Sequence, residues 1–201
     1  MAKRTRKKRV RPPMGRSSPL SPVDLETYDA SSGLLNALVD TPRGSSIKFK
    51  YSLEKRCYTI AHVLPPGTVF PFDFGSIPRT AAQDGDPLDV LIMMEWPSFA
   101  GCLVPVRLIG ALEAEQTQEG GTFRNDRLIG VAERSRVYRD SKTLSDLEGG
   151  LLRELEHFFV SYNEERGRKF KVLDRVGPDR ARRLVEGGQS RFRKDHRRRA
   201  R

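Results

Sequence analysis

Three carboxylates crowd six positions in the run Gln83-Asp84-Gly85-Asp86-Pro87-Leu88-Asp89, just ahead of the apolar stretch Val90-Leu91-Ile92. Adjacent anions repel unless cations sit among them, and carboxylate oxygens are the donors that hard cations such as Mg²⁺ prefer. Asp84, Asp86 and Asp89 are therefore candidate metal ligands, and a metal held this way calls for an anionic substrate. An EF-hand loop also opens Asp-x-Asp, and counting twelve from Asp84 reaches Glu95. It fails at its sixth position, where Asp89 replaces the required Gly, and again at Leu88, Val90 and Ile92. A solvated acidic turn ahead of a strand explains Gly85 and Pro87 equally well, so local sequence leaves both readings standing.

The 201 residues suffice for one sizeable core and are too few for two large domains. A formal charge of +11 suggests a nucleic-acid binder until it is located. Residues 1–16 carry eight Lys or Arg, and residues 191–201 carry seven against Asp195 alone. The ends together hold fourteen units, three more than the whole chain, so the body between them is mildly acidic. Such blocks lack apolar periodicity and are expected to be disordered. They would attract a polyanion such as RNA, DNA, polyphosphate or anionic headgroups, or serve only to solubilise. Cys57 and Cys102 stand far apart in apolar surroundings, which indicates neither a disulfide nor a zinc site and suggests a reduced, cytoplasmic setting. No stretch has the apolar length of a secretory signal or a membrane span.

The elements that must position the carboxylates are short. A Pro/Ser linker through Pro22 precedes a fold expected to start near Leu34. Strand-like runs follow at 36–41, 46–52, 56–64, 89–95, 102–113 and 127–131, separated by Gly/Pro turns, as in a small antiparallel barrel. The period then changes: Leu151, Leu152, Leu155, Phe158, Phe159 and Tyr162 lie on one face of a helix ending near Gly167. Ser145 with Glu148 could cap its start. A strand over 169–173 comes next, then a short helix from Pro178 to Val185, expected to stop at Gly187-Gly188. The expected domains are a tail and linker over 1–33, a globular unit over 34–188 and an Arg-rich tail over 189–201.

A barrel of this size, the pattern Asp-x-Asp-Pro-x-Asp and a closing helix with His157-Phe158-Phe159-x-x-Tyr162 together resemble the soluble type I inorganic pyrophosphatases. The resemblance spans roughly residues 36–175 and extends to Ile47-Lys48-Phe49, Phe70-Pro71-x-x-Phe74-Gly75 and Leu108-Ile109-Gly110. It implies a mainly β fold, a five-stranded OB-like β-barrel with two C-terminal helices packed beside it. It also implies a homo-oligomer and a cavity that hydrolyses pyrophosphate with several Mg²⁺ ions. By this resemblance Asp84 and Asp89 are bridging metal ligands and Asp86 accepts the proton of the attacking water. Lys48, His62, Arg127 and Tyr162 stand where phosphates are held.

The departures from that family are as informative. Asp40 replaces a glutamate and Arg127 a lysine, both keeping their charge. Phe70 and Phe74 replace tyrosines, Lys50 a glutamate, His62 an arginine, Gln116 an aspartate and Asn163 a lysine. The remaining acidic-loop ligand falls on Asn125, unless Asp126 takes its place. These exchanges make the site more positive by two units, which at about 4 kcal/mol per unit charge 4 Å away should cost outer metal ions. One or two Mg²⁺ on Asp84 and Asp89 are expected. Outside the site, His157 reads as a packed side chain. Three functions remain open: a Mg²⁺-dependent diphosphatase of reduced activity, a hydrolase of a larger phosphoanhydride, and a polyanion-binding module that no longer catalyses.

Overall fold

The computed structural model describes residues 21–199. The first basic run, expected to be disordered, lies outside the described residues. The strands are β1 (Leu35–Thr41), β2 (Ile47–Ser52), β3 (Cys57–Val63), β4 (Asp73–Ile77), β5 (Leu88–Met93), β6 (Leu103–Gln118), β7 (Gly121–Arg124), β8 (Arg127–Ala132) and β9 (Lys169–Val176). The helices are α1 (Leu151–Glu164) and α2 (Pro178–Arg199), with 3₁₀ turns at Pro22–Asp24 and Leu144–Asp146. Hydrogen bonding runs β1-β4-β5-β8-β6, and β1 also pairs with β6, which closes these five strands into a ring. The expected mainly β, OB-like architecture with two C-terminal helices is what forms. β7 and β9 extend the sheet along β6, and β2-β3 is a separate hairpin.

Alternation along β5 divides the core. Leu88, Val90 and Ile92 join one cluster, which draws on all five ring strands and is covered by Ala181 and Val185 of α2. Leu91 and Met93 join the other, with Phe74, Leu155, Phe159, Tyr162 and Phe170 around α1. Asp89 shares the second face, because successive strand residues point to opposite sides. It therefore stands where the α1-side core gives way to solvent.

Four expectations need correction. β4 was not foreseen, since Pro71 and Gly75 interrupt its pattern. Gly75 is there for contact: a Cβ would lie 2.2 Å from the Leu38 carbonyl oxygen on β1. The segment before Leu34 is not wholly linker, as Thr27 donates to the Pro78 carbonyl at 3.0 Å and Asn36 to that of Glu26 at 2.9 Å. Next, α2 does not stop at Gly187-Gly188, and residues 189–199 are helical rather than a disordered tail. Gly188 permits close packing: its carbonyl accepts from Ala81 N–H at 3.0 Å, and a Cβ would meet Leu88 Cδ1 at 2.7 Å. Arg191 Nε adds a bond to the Ala81 carbonyl at 2.7 Å, so tertiary contacts carry the helix through two poor helix formers. The expected Ser145–Glu148 cap does not form either: α1 starts after Gly150 without a side-chain cap, and it is the preceding 3₁₀ turn that is capped, by Asp146, which accepts from Thr143 N–H at 2.8 Å.

Candidate active site

Asp84, Gly85 and Asp86 form the turn that leads into β5. Gly85 has φ +87°, a conformation that favours glycine, and Asp86 N–H donates to Asp84 Oδ1 at 3.1 Å, which tightens the loop. The turn opens on a cavity of about 520 Å³. Asp40 of β1, Lys48 and Lys50 of β2, Asp89 of β5, Arg127 of β8 and Tyr162 of α1 line it together with Asp84 and Asp86. Register explains part of this convergence, because Asp89 stands opposite Ser76 of β4 on one side and Arg127 on the other.

Two of the three clustered acids already carry side-chain cations. Lys50 Nζ lies 2.6 Å from Asp86 Oδ2, and Arg127 Nη1 lies 2.6 Å from Asp89 Oδ2. The pairs differ in exposure: about half of each side chain is exposed in the first, while Arg127 is 5% exposed in the second. Arg127 also donates to Asn125 Oδ1 and packs 5.2–5.8 Å from the rings of Phe74, Phe159 and Phe170. Its Nε is buried with no hydrogen-bond partner among the described residues. Arg127, expected only to hold phosphate, is first the partner of Asp89.

Burial acts on the remaining acids. Desolvation pushes the Asp40 carboxyl up to about 7, with the Asp89 charge adding and Ser76, Lys48 and Lys50 opposing. Desolvation likewise raises Asp84, and the charges of Asp86 and Asp89 reinforce it. Lys48 Nζ sits 4.8 Å from the Phe74 ring centroid and 5.6 Å from that of Tyr162, beside the acids but without an ion-pair partner among the described residues. Tyr162 Oη accepts from Arg166 Nη1 at 2.8 Å.

Two expected residues fall elsewhere. Asp126 does not slide into the cavity: its Oδ1 accepts from Ala114 N–H at 2.9 Å and from Arg124 Nη2 at 2.7 Å, while Asn125 faces inward. His62 stands behind Tyr162, with ring centroids 6.3 Å apart, and Ala61 forms the cavity wall. Desolvation first, then Arg166, Lys48 and Arg168, lower the His62 pKa, so it is neutral near pH 7. The sequence reading missed Arg166 and Arg168, which reach the cavity from the turn after α1, and Phe192 and His196 from α2. The signal for the first two was a left-handed Gly167 flanked by arginines at the end of an amphipathic helix.

The family model described as inorganic pyrophosphatase matches residues 37–193. The chain belongs to the inorganic pyrophosphatase family. It is 35% identical to the inorganic pyrophosphatase of Synechocystis sp. over 82% of this chain and 96% of that protein. It is 31% identical to that of Nanoarchaeum equitans over 79% and 97%, respectively. The crystal structure of the Thermus thermophilus inorganic pyrophosphatase superposes with a TM-score of 0.77 at 28% identity, covering 87% of this chain and 99% of that one.

Pyrophosphatases of this family are metal-dependent, and the donors can be tested against that requirement. Among the described residues no three carboxylates, histidines or cysteines converge on one point. Asp86 turns to Lys50 and Asp89 to Arg127, so the trio is partly splayed. The acids in the cavity nevertheless offer only oxygen donors, and Asp84 is destabilised by its charged neighbours. Mg²⁺ is commonly held by one or two carboxylates, with water and substrate phosphate completing an octahedron. Asp84 and Asp89 fit that description.

Among the described residues no helix is long and apolar enough to cross a membrane. Cys57 and Cys102 are both free thiols.

Proposed function

We propose that this pyrophosphatase hydrolyses pyrophosphate to two phosphates with Mg²⁺, at a rate reduced by the exchanged site residues. The observation that carries the reading is the shared cavity, which sets Asp84, Asp86 and Asp89 opposite Lys48, Arg127, Arg166 and Arg168. Mg²⁺ on Asp84 and Asp89 would neutralise phosphate oxygens and make water a better nucleophile. The side chains do the rest. Lys48 and Arg166 neutralise the phosphate oxygens, and Arg127 adds a positive charge at the cavity wall. Asp86 Oδ1, without a partner among the described residues, takes the proton of the attacking water. Phe74 and Phe159 back Arg127 and keep that side dry.

A second reading, an anion-binding barrel without catalysis, is favoured by the cations already on Asp86 and Asp89. Phosphate release from pyrophosphate, with and without Mg²⁺, separates the two. Release that needs Mg²⁺ and is lost in Asp86→Asn supports the hydrolase, whereas no release from either protein supports the binding module. We further place the protein in the cytoplasm as a homo-oligomer, an assembly that would cover the exposed Trp96 and Phe99.

A further inference from the structure

A second cavity of about 680 Å³ lies against the first. One wall is the turn Ala82, Gln83 and Gly85, and the other is α2, with Arg191, Lys194, Arg197 and Arg198. Gly85 and Asp195 line both spaces. Gly85 puts no side chain between them, and a Cβ there would stand in open space. Both walls are fixed to each other by the bonds from Ala81 N–H to Gly188 and from Arg191 Nε to Ala81. Among the described residues none of the four cations has an acidic partner, and Asp195 is the one acid facing them. Cations held unpaired on a rigid helix repel one another, and a polyanion lying between the walls would relieve that repulsion.

We infer that this crevice receives the outer phosphates of a linear phosphoanhydride of three or more phosphates, whose terminal unit occupies the Asp84–Asp86–Asp89 cavity. The inference rests on the hydrolase reading and names a longer substrate for the same site. Water adds to the terminal phosphorus, its P–O–P bridge breaks, and the bridging oxygen leaves with the shortened chain. The proton of the water goes to Asp86. A naked phosphate chain fits better than a nucleic acid, because among the described residues no aromatic side chain lines the crevice to stack a base. Phe192 and His196 face the first cavity and stack on each other, with ring centroids 5.3 Å apart.

The test uses the full chain with Mg²⁺ and a variant combining Lys194→Ala, Arg197→Ala and Arg198→Ala, whose helicity is checked by circular dichroism. Phosphate release is followed from tripolyphosphate and from pyrophosphate. The variant should keep its KM for pyrophosphate, while its KM for tripolyphosphate rises about tenfold or more. An equal KM change for both substrates, or none for tripolyphosphate, overturns the inference. If neither compound is hydrolysed, the hydrolase reading fails, and calorimetric binding still reads the crevice. Tripolyphosphate should then bind the wild-type chain tighter than pyrophosphate and lose that margin in the variant; equal binding in the wild type overturns the assignment. A single-stranded RNA that outcompetes tripolyphosphate would also overturn it, in favour of a nucleic-acid site.

Discussion

Lys50 Nζ rests 2.6 Å from Asp86 Oδ2, bringing an ammonium from β2 onto the carboxylate proposed above as the acceptor of the attacking water's proton. The two residues are 36 positions apart, so only the packing of the β2-β3 hairpin against the acidic turn joins them. With each side chain about half exposed, such a pair contributes only about 0.2–1 kcal/mol. The ammonium is thus easily displaced by a divalent ion or drawn toward a phosphate. On the proposed reading, Lys50 is a weak internal cation that would compete with metal for Asp86.

Replacing Lys50 should therefore strengthen metal binding. Lys50→Met frees Asp86 without adding a ligand, and Lys50→Glu adds one. Calorimetric titration should show about tenfold tighter Mg²⁺ binding in the first and an additional Mg²⁺ site in the second. Pyrophosphate hydrolysis should rise in both. Unchanged metal binding in Lys50→Met would show that the ammonium is a bystander.

Arg127 plays the opposite part, because its guanidinium is buried among three phenylalanine rings and reaches Asp89 at the cavity edge. Arg127→Ala leaves Asp89 uncompensated and opens a void, which should cost about 3–5 kcal/mol of stability. Urea unfolding reads this loss. Saturating Mg²⁺ should recover part of it, since a cation on Asp89 replaces the missing guanidinium. A loss that does not depend on Mg²⁺ would mean that packing alone accounts for it.

The fold was legible where the chain follows simple rules. Strand-like runs and Gly/Pro turns marked seven of the nine strands among the described residues, and the Leu155-Phe159-Tyr162 stripe marked α1. β4 was hidden because Gly75 answers to a carbonyl on another strand, and α2 was cut short because Gly188 answers to Leu88. Neither reason is local. The Asp84-x-Asp86 turn identified the cavity, but Asn125 and Asp126 are neighbours, and bonds to Asp126 from Arg124 and from Ala114 N–H, both set by the fold, decide which one turns inward. The partners of Asp86 and Asp89 were equally out of reach, since cross-strand geometry sets them.

Asp40 gives the fold a pH dependence. Desolvation holds its carboxyl up at about 7, against 3.8 in the unfolded chain. Between these values the folded state keeps a proton that the unfolded chain has released. The stabilisation is thus complete below the unfolded value and is lost as pH rises through about 7. At about 1.4 kcal/mol per pH unit the loss is at most roughly 4 kcal/mol. With metal chelated, the wild-type urea midpoint should fall between pH 5 and pH 8, and Asp40→Asn should flatten that fall. Parallel curves for the two proteins would show that Asp40 ionises freely in the fold.

The glycine pair in α2 gives the last test, because its two members should respond in opposite directions. At Gly187 a Cβ would sit 3.5 Å from Arg191 Nη1, an ordinary contact with a flexible group. Gly187→Ala should therefore gain helix propensity, up to about 1 kcal/mol. At Gly188 the same methyl would lie 2.7 Å from Leu88 Cδ1 and 3.2 Å from Thr80 Cβ, both buried. Gly188→Ala should lose about 1–3 kcal/mol through overpacking and push α2 away from the acidic turn. Because Leu88 precedes Asp89 in β5, the shift should also weaken tripolyphosphate binding, while Gly187→Ala leaves it unchanged. If both variants stabilise the protein, the close approach of α2 to β5 is not what holds the helix in place.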